Sequence, residues 1–402
     1  MIAEWKEYTV AQLIEDGTLL IGDGYRAKNV ELAKAGIPFA RVANIDDGFD
    51  FSNVDFFPLD DLGKVGDKIS RPGDTVFTSK GTVGRFAFVG ESTQRFVYSP
   101  QLSYWRSRKH EVIAPRFLFY WMQGREFFAQ SDAVKGQTDM ADYVSLTDQR
   151  KMRITLPEID EQRAIASILS SLDDKIDLLH RQNKTLEALA ETLFRQWFVE
   201  EAEEKSELIR ISEVAEINSR TVPNNYPYSE IEYLDTGSIT DGIITAFQTL
   251  PLTDAPSRAQ RIVRDHDIVY SLVRPIQRHY GLLHGVKPNT VASTGFCVVT
   301  GRDISSHFLY MLLTRDETVE YFDMIAEGST SAYPSLKPSD VANFEFIKPP
   351  KDKLENFSNY ASDAWRKIQS NQIQIRTLTQ LRDTLSPKLM SGEVRVKSEQ
   401  LN

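Results

Sequence analysis

Thr185-Leu186-(x)2-Leu189-(x)2-Thr192-Leu193 is a helical stretch that the chain contains twice. It returns as Thr377-Leu378-(x)2-Leu381-(x)2-Thr384-Leu385, 192 residues later. Apolar residues spaced by three and four positions predict one apolar face of an α-helix. The chain of 402 residues is therefore predicted to contain one repeated unit, which ends in a long helix in both copies.

The apolar positions of the first long helix step by four and three residues without a break. This pattern is typical of a heptad seam, sustained here for about four heptads. The positions are Ile165, Leu169, Leu172, Ile176, Leu179, Asn183, Leu186, Ala190 and Leu193. At the same register the second helix has Phe357, Ala361, Ala364, Ile368, Asn371, Ile375, Leu378, Arg382 and Leu385. The asparagine in each seam either forms a buried polar pair that fixes the register or points to water at the seam edge.

Shorter matches at nearly the same offset precede each seam. They are Asp74–Thr78 with Asp267–Ser271, Ser99 with Ser293, Phe117–Tyr120 with Phe308–Met311, Gly136–Thr138 with Gly328–Thr330, and Ser145-Leu146 with Ser335-Leu336. In both copies β-rich runs alternate with glycine, proline, aspartate and asparagine. Helices are expected at Pro115–Phe128 and His307–Thr314. The mixture predicts an α+β fold for each copy.

We predict four segments: a globule at 1–157, a spacer helix at 158–200, a second globule at 208–350 and a second spacer helix at 351–392. The second globule joins the end of one helix to the start of the other. The helices should therefore run antiparallel and bury their seams on each other. Helices of about 40 residues would span about 60 Å. The expected product is a pseudo-two-fold repeat, with two similar globules held apart by a coiled-coil spacer.

Composition narrows the class of protein. The single cysteine, Cys297, cannot form an internal disulfide and indicates a reducing compartment, so we expect a cytoplasmic protein. The opening residues do not resemble a signal peptide and no apolar run is long enough to cross a bilayer, so no membrane partner is expected. The net charge of −10 argues weakly against a nucleic-acid binder. However, residues 71–116 and 258–287 are locally basic, and phosphate contact depends on local charge.

No catalytic signature stands out in the sequence. The turn Gly81-Thr82-Val83-Gly84 lacks the Lys-Ser/Thr pair of a phosphate-binding loop. Cysteine pairs and triad patterns are also missing. His279 and His284 are five residues apart with no third ligand nearby in the sequence, so no metal site is predicted. The chain is predicted to be a non-catalytic reader or scaffold that binds no cofactor itself.

These patterns resemble the specificity subunits of type I restriction-modification enzymes over nearly the whole chain. The most specific segment is Leu156-Pro157-Glu158-Ile159-Asp160-Glu161-Gln162-Arg163-Ala164-Ile165, which is similar to the opening of that family's central helix. The stretches Gly73–Thr78 and Gly81–Gly84 resemble its target recognition core. The second copy departs from the first. It has Lys353-Leu354 in place of Glu161-Gln162, and Val273-Arg274-Pro275 in place of Lys80-Gly81-Thr82.

The resemblance implies a DNA-binding subunit that reads an asymmetric bipartite target. Each globule would be a target recognition domain, and the helices would set the gap between half-sites and dock two DNA methyltransferase subunits. Restriction subunits would join outside them. The assembled complex would use S-adenosylmethionine, with ATP and Mg²⁺ for restriction. The alternatives are the specificity subunit of another methylation-based defence system and a coiled-coil scaffold without DNA binding.

Phosphate contacts need cations and small polar donors on exposed turns, and base contacts need Arg, Asn or Gln. In the first globule the predicted DNA-binding residues are Thr78, Ser79, Lys80, Arg85, Tyr98, Gln101, Arg106, Gln137 and Thr138, although Tyr98 could equally belong to the core. In the second globule they are Ser271, Arg274, Arg278, His279, Ser329, Thr330 and Tyr333. Lys80 and Arg274 are predicted to occupy the same place after their matched strands.

Overall fold

The computed structural model describes residues 4–45, 48–134, 142–202, 207–329 and 333–396. The chain forms two compact units. The first comprises residues 1–178 and 375–402, and the second comprises residues 179–374. Two long helices, Ile159–Arg195 and Lys351–Met390, each begin in one unit and end in the other. Each unit therefore combines one predicted globule with part of both predicted spacer helices.

The first unit contains two small sheets and a strand pair. Its strands are β1 (Lys6–Thr9), β2 (Leu19–Asp23), β3 (Ile37–Ala40), β4 (Phe56–Phe57), β5 (Thr75–Thr78), β6 (Phe86–Phe88), β7 (Val97–Tyr98), β8 (Leu102–Ser107) and β9 (Arg153–Leu156). Its helices are α1 (Val10–Glu15), α2 (Pro115–Met122), α3 (Arg125–Val134) and α4 (Leu146–Lys151), followed by the long helix α5 (Ile159–Arg195). The sheets have the orders β2-β8-β5-β6 and β4-β3-β7. Strand β9 pairs with β1, which closes the globule just before α5 begins.

The second unit repeats this plan. Its strands are β10 (Leu208–Arg210), β11 (Ala215–Ile217), β12 (Glu230–Leu234), β13 (Ile239–Thr240), β14 (Ile243–Ile244), β15 (Gln248–Pro251), β16 (Ala259–Ile262), β17 (Ile268–Ser271), β18 (Tyr280–Leu282), β19 (Thr290–Ser293), β20 (Phe296–Gly301) and β21 (Glu345–Ile347). Its helices are α6 (Ile211–Val214), α7 (Ser306–Thr314), α8 (Asp316–Glu327) and α9 (Pro338–Ala342), followed by the long helix α10 (Lys351–Met390). The larger sheets have the orders β11-β20-β17-β18 and β15-β12-β19-β16.

The predicted internal repeat is confirmed by the strand order. Strands β5 and β17 hold the same place in their four-stranded sheets, and each is flanked by a hairpin partner and a returning strand. Each unit also has one parallel strand pair, β3 with β7 and β12 with β19. Both units are therefore α+β folds with the same strand arrangement in the central sheet, whereas the other sheet has three strands in the first unit and four in the second.

One predicted match is wrong by two residues. The amide of Val144 donates to the carbonyl of Ser79, and the amide of Leu336 donates to that of Leu272. Ser145 and Lys337 then take the N-cap positions of α4 and α9. Ser145 is therefore equivalent to Lys337, not to Ser335, because the hydrogen-bonded register decides the equivalence.

The single helix expected at Pro115–Phe128 is two helices, α2 and α3. Helix α2 ends where Gly124 donates its amide to the carbonyl of Trp121. A β-carbon on Gly124 would lie 3.1 Å from that oxygen, so glycine suits the tight turn. In the second unit α7 is likewise followed by a further helix, α8, which the sequence did not predict.

The long helices contribute to both hydrophobic cores. In the first unit, Ile165 and Leu169 of α5 and Leu389 of α10 lie in the cluster that includes Trp105 and Phe117. In the second unit, Phe194 of α5 lies with its ring centre 5.2 Å from Phe308 and 5.8 Å from Phe357 of α10. The helix segments are therefore part of each unit's core, and burial of their apolar side chains stabilises that unit.

The predicted seam positions are buried or half-buried at every heptad step of both helices. The segments run antiparallel within each unit. In the first, Arg382 bonds Asp173 at 3.0 Å and Arg395 bonds Glu161 at 2.6 Å; in the second, Asn371 bonds Asn183 at 2.8 Å and Lys353 bonds Glu201 at 2.7 Å. The Asp173 carboxylate also accepts the hydroxyl of Tyr120. The arginine in the second seam is thus satisfied by an acidic partner.

The two starting turns of the long helices are anchored in related ways. The side chain of Gln162 is buried, accepts the amide of Ala114 and donates to the carbonyls of Val112 and Pro157. Its neighbour Glu161 accepts two bonds of 2.6 Å from Arg395. Three hydrogen bonds from one amide side chain tie the start of α5 to the globule, which explains the glutamine at this position.

In the second unit the charges of this anchor are reversed. Lys353 stands in the place of Glu161 and donates to Glu201, at 2.7 Å, just beyond the end of α5. Leu354, in the place of Gln162, packs against the apolar core. The departure from the first copy therefore keeps an ion pair at this position but replaces a hydrogen-bonded anchor with an apolar one.

The two seam asparagines form a buried polar pair. Asn371 is 0% exposed, and its Nδ2 donates to Oδ1 of Asn183, which is 9% exposed. The interpretation in which each amide points to water is therefore wrong. A bond between unlike ends of two buried amides favours one register, because a shift by one turn would leave each amide facing an apolar side chain.

The Asn371→Leu substitution should lower the free energy of unfolding by about 1–3 kcal/mol, since it leaves the buried amide of Asn183 without its partner. The Asn183→Leu/Asn371→Leu double variant should recover most of that loss. The midpoints of urea denaturation of the four proteins of this cycle measure the coupling. Additive losses in the double variant would contradict a direct interaction between the two amides.

Candidate nucleic-acid interface

A buried ion pair supports the central sheet of the first unit. Arg106 on β8 is 4% exposed, and its Nε and Nη2 donate to Asp74 at 2.6 and 2.7 Å. The buried hydroxyl of Tyr98 also donates to Asp74, at 2.7 Å. The prediction that Arg106 and Tyr98 bind DNA is wrong, because both side chains are buried and hydrogen-bonded to the Asp74 carboxylate.

The second unit has an equivalent pair that the sequence analysis missed. Asp267, in the place of Asp74, is buried and accepts Arg220 together with the hydroxyl of Thr300, the latter at 2.7 Å. Arg220 precedes the central strand, whereas Arg106 follows it, so no residue match linked the two arginines. The sequence feature that could have indicated a buried ion pair in both units is the aspartate just before each matched strand, Asp74 and Asp267.

Three further predicted contacts face inward. Thr78, Ser79 and Ser271 are each at most 2% exposed. The Thr78 hydroxyl donates to the carbonyl of Thr82 at 2.5 Å, and that of Ser271 donates to Val273 at 3.0 Å. The hydroxyl of Ser79 accepts that of Ser103. Their prediction as DNA-binding residues is also wrong, since these side chains close the turns that follow β5 and β17.

An exposed polar group surrounds the turn after β5. Lys80, Arg85 and Gln101 all have exposed side chains. The backbone brings them together, because Thr78 and Ser79 donate their amides to the carbonyls of Arg85 and Gln101. The ammonium of Lys80 lies 5.6 Å from the ring centre of Tyr143, which is 43% exposed. We call Lys80, Arg85, Gln101 and Tyr143 the first turn cluster.

The turn after β17 carries a similar arrangement. The exposed guanidinium of Arg274 lies 5.5 Å from the ring centre of Tyr333, which is 63% exposed. Arg274 and Tyr333 form the second turn cluster. In both units the tyrosine comes from the segment that returns to the turn just before the short helix α4 or α9.

Lys80 and Arg274 are not in the same backbone position, contrary to the prediction. Arg274 is equivalent to Gly81, because Arg274 donates its amide to Pro334 where Gly81 donates to Asp142. Gly81 has φ +85° and Arg274 has φ +48°. This left-handed conformation suits glycine and is strained for arginine. Such an outlier favours a functional reason for the arginine.

The remaining candidates in the second unit are engaged within the chain. Arg278 donates to Asp316 and to the hydroxyl of Tyr280. The Nδ1 of His279 donates to the carbonyl of Ile239 at 2.6 Å. Ser329 is half-buried and its hydroxyl accepts the amide of Ser335. These bonds limit what each of the three can offer to a ligand.

Three predicted residues, Gln137, Thr138 and Thr330, lie outside the residues that the structure describes. Their role in DNA binding therefore stays a prediction.

Comparison with known proteins shows which family the chain is similar to. Residues 3–188 match the family described as the type I restriction modification DNA specificity domain. The chain is similar to type I restriction enzyme specificity subunits. The HindI specificity subunit of Haemophilus influenzae is 20% identical over 476 residues, covering 98% of this chain and all of that protein (100%). The MjaIX specificity subunit of Methanocaldococcus jannaschii is 24% identical over 314 residues, covering 71% of this chain and 70% of that protein.

A solved specificity subunit has a similar fold. The crystal structure of the type I restriction-modification S subunit from M. genitalium superposes with a TM-score of 0.60 at 14% identity, covering 96% of both chains. The predicted resemblance is therefore confirmed in sequence and in fold. In the part of the present chain that the structure describes, no helix combines the length and apolar content that a membrane span requires.

Three histidines lie close together in the second unit of the present chain. His284, which the sequence analysis dismissed as a ligand for want of a third partner, lies beside His266 and His307. One ring nitrogen from each histidine lies within 4.8 Å of the corresponding nitrogens of the other two. Burial lowers the pKa of His284 to about 4 and that of His307 to about 3, so both rings are neutral near pH 7. The sequence alone could not show this group, because its three members are far apart in the chain.

The Arg106→Met substitution should lower the stability of the first unit by about 3–5 kcal/mol, because it leaves the Asp74 carboxylate buried without its cation. Urea denaturation followed by tryptophan fluorescence measures this, since Trp105 lies on the same strand. The matched control is Arg108→Gln, which removes an exposed arginine just beyond that strand and should change little. Unchanged stability with altered DNA sequence preference would reinstate Arg106 as a DNA contact.

Proposed function

We propose that this chain is the DNA sequence-recognition subunit of a type I restriction-modification complex. It binds an asymmetric bipartite target on double-stranded DNA, and each α+β unit reads one half. The observation that carries this is the repeated turn cluster. Two units with the same central sheet each place an exposed cation, on the turn after the central strand, over an exposed tyrosine ring.

The chemistry of the two clusters suits contact with DNA. An exposed cation beside an aromatic face is held by about 0.5–1 kcal/mol while its hydrogen-bond donors stay free for a ligand. Lysine offers a compact point charge to phosphate, whereas the guanidinium of arginine can donate two parallel bonds to one guanine edge. Lys80 in one unit and Arg274 in the other therefore favour different half-sites, which is what an asymmetric target requires.

The strain at Arg274 strengthens this assignment. A glycine serves the same backbone position in the first unit, so the fold itself does not need an arginine there. Keeping a side chain in the left-handed region costs about 1–2 kcal/mol. A direct role for the guanidinium in binding is the simplest reason for a protein to retain that cost.

The chain is proposed to be non-catalytic by itself and to act by positioning partners. Two DNA methyltransferase subunits would dock on the long helices, with restriction subunits in the full complex. Exposed charged residues such as Asp174, Asp177 and Lys184 line the outward faces of α5, and they offer polar contacts to a protein partner. S-adenosylmethionine, ATP and Mg²⁺ would be bound by those other subunits.

The Arg274→Gly variant tests the recognition role without a folding penalty, because glycine accepts the backbone conformation at φ +48°. Preference at one half of the target should fall by about 1–3 kcal/mol, with the other half unchanged. Sequencing of methylated sites from a randomised target library, with the methyltransferase subunits present, measures this.

Two matched variants complete the test. Lys80→Gln should change the opposite half of the target, and Arg274→Lys should keep affinity but lose base preference. A uniform loss over all sequences, with a shallower dependence of affinity on salt, would make Arg274 a phosphate contact. Unaltered affinity and preference in Arg274→Gly would refute the turn cluster as the interface.

The role of the helices as a spacer is tested by insertion. Four residues added to α5 after Leu178, and four added to α10 after Gln374, lengthen both helices at the boundary between the compact units. The added length of about 6 Å should widen the tolerated gap by about one or two base pairs, at about 3.4 Å each. The control is the same insertion in the exposed turn at Glu91. A gap that stays constant in the helix variant would mean that the helices do not set it.

A further inference from the structure

We propose that His266, His284 and His307 form a binding site for one divalent transition-metal ion of the zinc class. Neither the resemblance to specificity subunits nor the proposed DNA recognition involves this site. All three residues belong to the second unit. The proposal therefore stands or falls separately from the DNA-binding role.

The three rings come from different elements and converge on one point. His266 ends the turn before β17, His284 follows β18 by two residues, and His307 lies in the first turn of α7. Their ring centres are 5.0, 5.7 and 5.8 Å apart. The chain has six histidines, so half of them gather here.

Two of these rings have buried nitrogens that the protein leaves unsatisfied. The Nε2 atoms of His284 and His307 have no hydrogen-bond partner among the residues that the structure describes. His307 is 4% exposed. A buried polar atom without a partner is costly and uncommon. A metal ion between the rings would satisfy both nitrogens at once.

The backbone conformation of His266 gives an independent reason to assign a binding role to this histidine. His266 is equivalent to Gly73 of the first unit, since both precede the matched aspartates Asp267 and Asp74. Gly73 has φ +90° and His266 has φ +67°. A histidine thus occupies a left-handed position where the first unit has a glycine, and the strain favours a role for the ring.

The other two positions also differ between the units. His266 donates its amide to Leu283 as Gly73 donates to Val89, which makes His284 equivalent to Gly90. The match of Phe308 with Phe117 makes His307 equivalent to Arg116. The first unit therefore has two glycines and an arginine where the second has three histidines, so the site is a feature of the second unit alone.

The donor set selects the class of ion. Three neutral imidazoles suit Zn²⁺, Co²⁺, Ni²⁺ or Cu²⁺, whereas Ca²⁺ and Mg²⁺ prefer oxygen ligands. Zinc bonds imidazole nitrogen at about 2.0–2.1 Å and commonly takes three protein ligands with water in the fourth position. The exposed ring of His266 leaves one side of the group open for that water. Small rotations of the side chains would bring the three nitrogens to bonding distance.

Binding would link elements that meet near the long helix. His307 packs against Trp365 of α10, with ring centres 5.3 Å apart. An ion held by the three rings would join the hairpin β17-β18 to α7 beside this contact. Because a ligand that binds only the folded state stabilises it, metal should raise the stability of the second unit.

The experiment uses the full chain, stripped of metal with a chelator and then titrated with ZnCl₂ or CoCl₂. Calorimetry should give one site per chain, and Co²⁺ should develop the visible absorption bands of a four-coordinate site. The Tm should rise with Zn²⁺ concentration. The absence of saturable binding, or cobalt spectra of an octahedral aqua ion, would overturn the proposal.

Glycine variants keep the test clear of folding defects. His266→Gly and His284→Gly copy the residues of the first unit, and His266→Gly also relieves the left-handed backbone. Each should weaken Zn²⁺ binding by at least about tenfold, while His180→Gln, at an exposed position on α5, should bind as the parent does. Equal binding by His266→Gly, His284→Gly and the parent would show that the histidine group only packs together.

Discussion

Each compact unit depends on the antiparallel contact between two helix segments and a small α+β globule. Neither helix segment can bury its apolar stripe alone, and neither globule completes its core without them. Ile165 and Leu169 enter one core and Phe194 and Phe357 enter the other. The polar positions inside these contacts are satisfied by specific partners, Asp173 for Arg382 and Asn183 for Asn371. Burial supplies the stability, and the polar pairs select one register.

The repeat keeps its backbone while its side chains diverge. The matched aspartates Asp74 and Asp267 both hold a buried arginine, but the arginines come from opposite sides of the central strand. The helix anchor is glutamate to arginine in one unit and lysine to glutamate in the other. Such exchanges preserve the fold because a buried carboxylate needs a cation, and an ion pair needs opposite charges, from whichever position can supply them.

Divergence is most informative at left-handed positions. Gly81 and Gly73 of the first unit are replaced by Arg274 and His266 in the second. Glycine is the residue that such turns favour, so each replacement carries a conformational cost without improving the turn. Both replacements place a functional group at an exposed surface, one beside Tyr333 and one beside the half-buried His284 and the buried His307. The comparison of two copies within one chain thus separates residues that the fold needs from residues that it only tolerates.

Residues predicted to bind DNA divide by burial. Lys80, Arg85, Gln101, Arg274 and Tyr333 are exposed, whereas Thr78, Ser79, Tyr98, Arg106 and Ser271 are buried. The sequence criteria, which were residue type and position relative to a matched strand, selected exposed and buried residues alike. Alternation along a short strand does not reveal which face is covered when both faces are packed, as all four residues of β5 and of β17 are buried.

The sequence by itself determined the repeat, the two long helices and their seam, because heptad spacing is a local property that a single helix already displays. It also determined the α+β class through its alternation of strand and turn residues. Only the tertiary structure decided which asparagines pair, which arginine is interior, and that three histidines distant in the chain meet at one point. Those outcomes depend on contacts between elements far apart in sequence, and no local pattern encodes the distance between them.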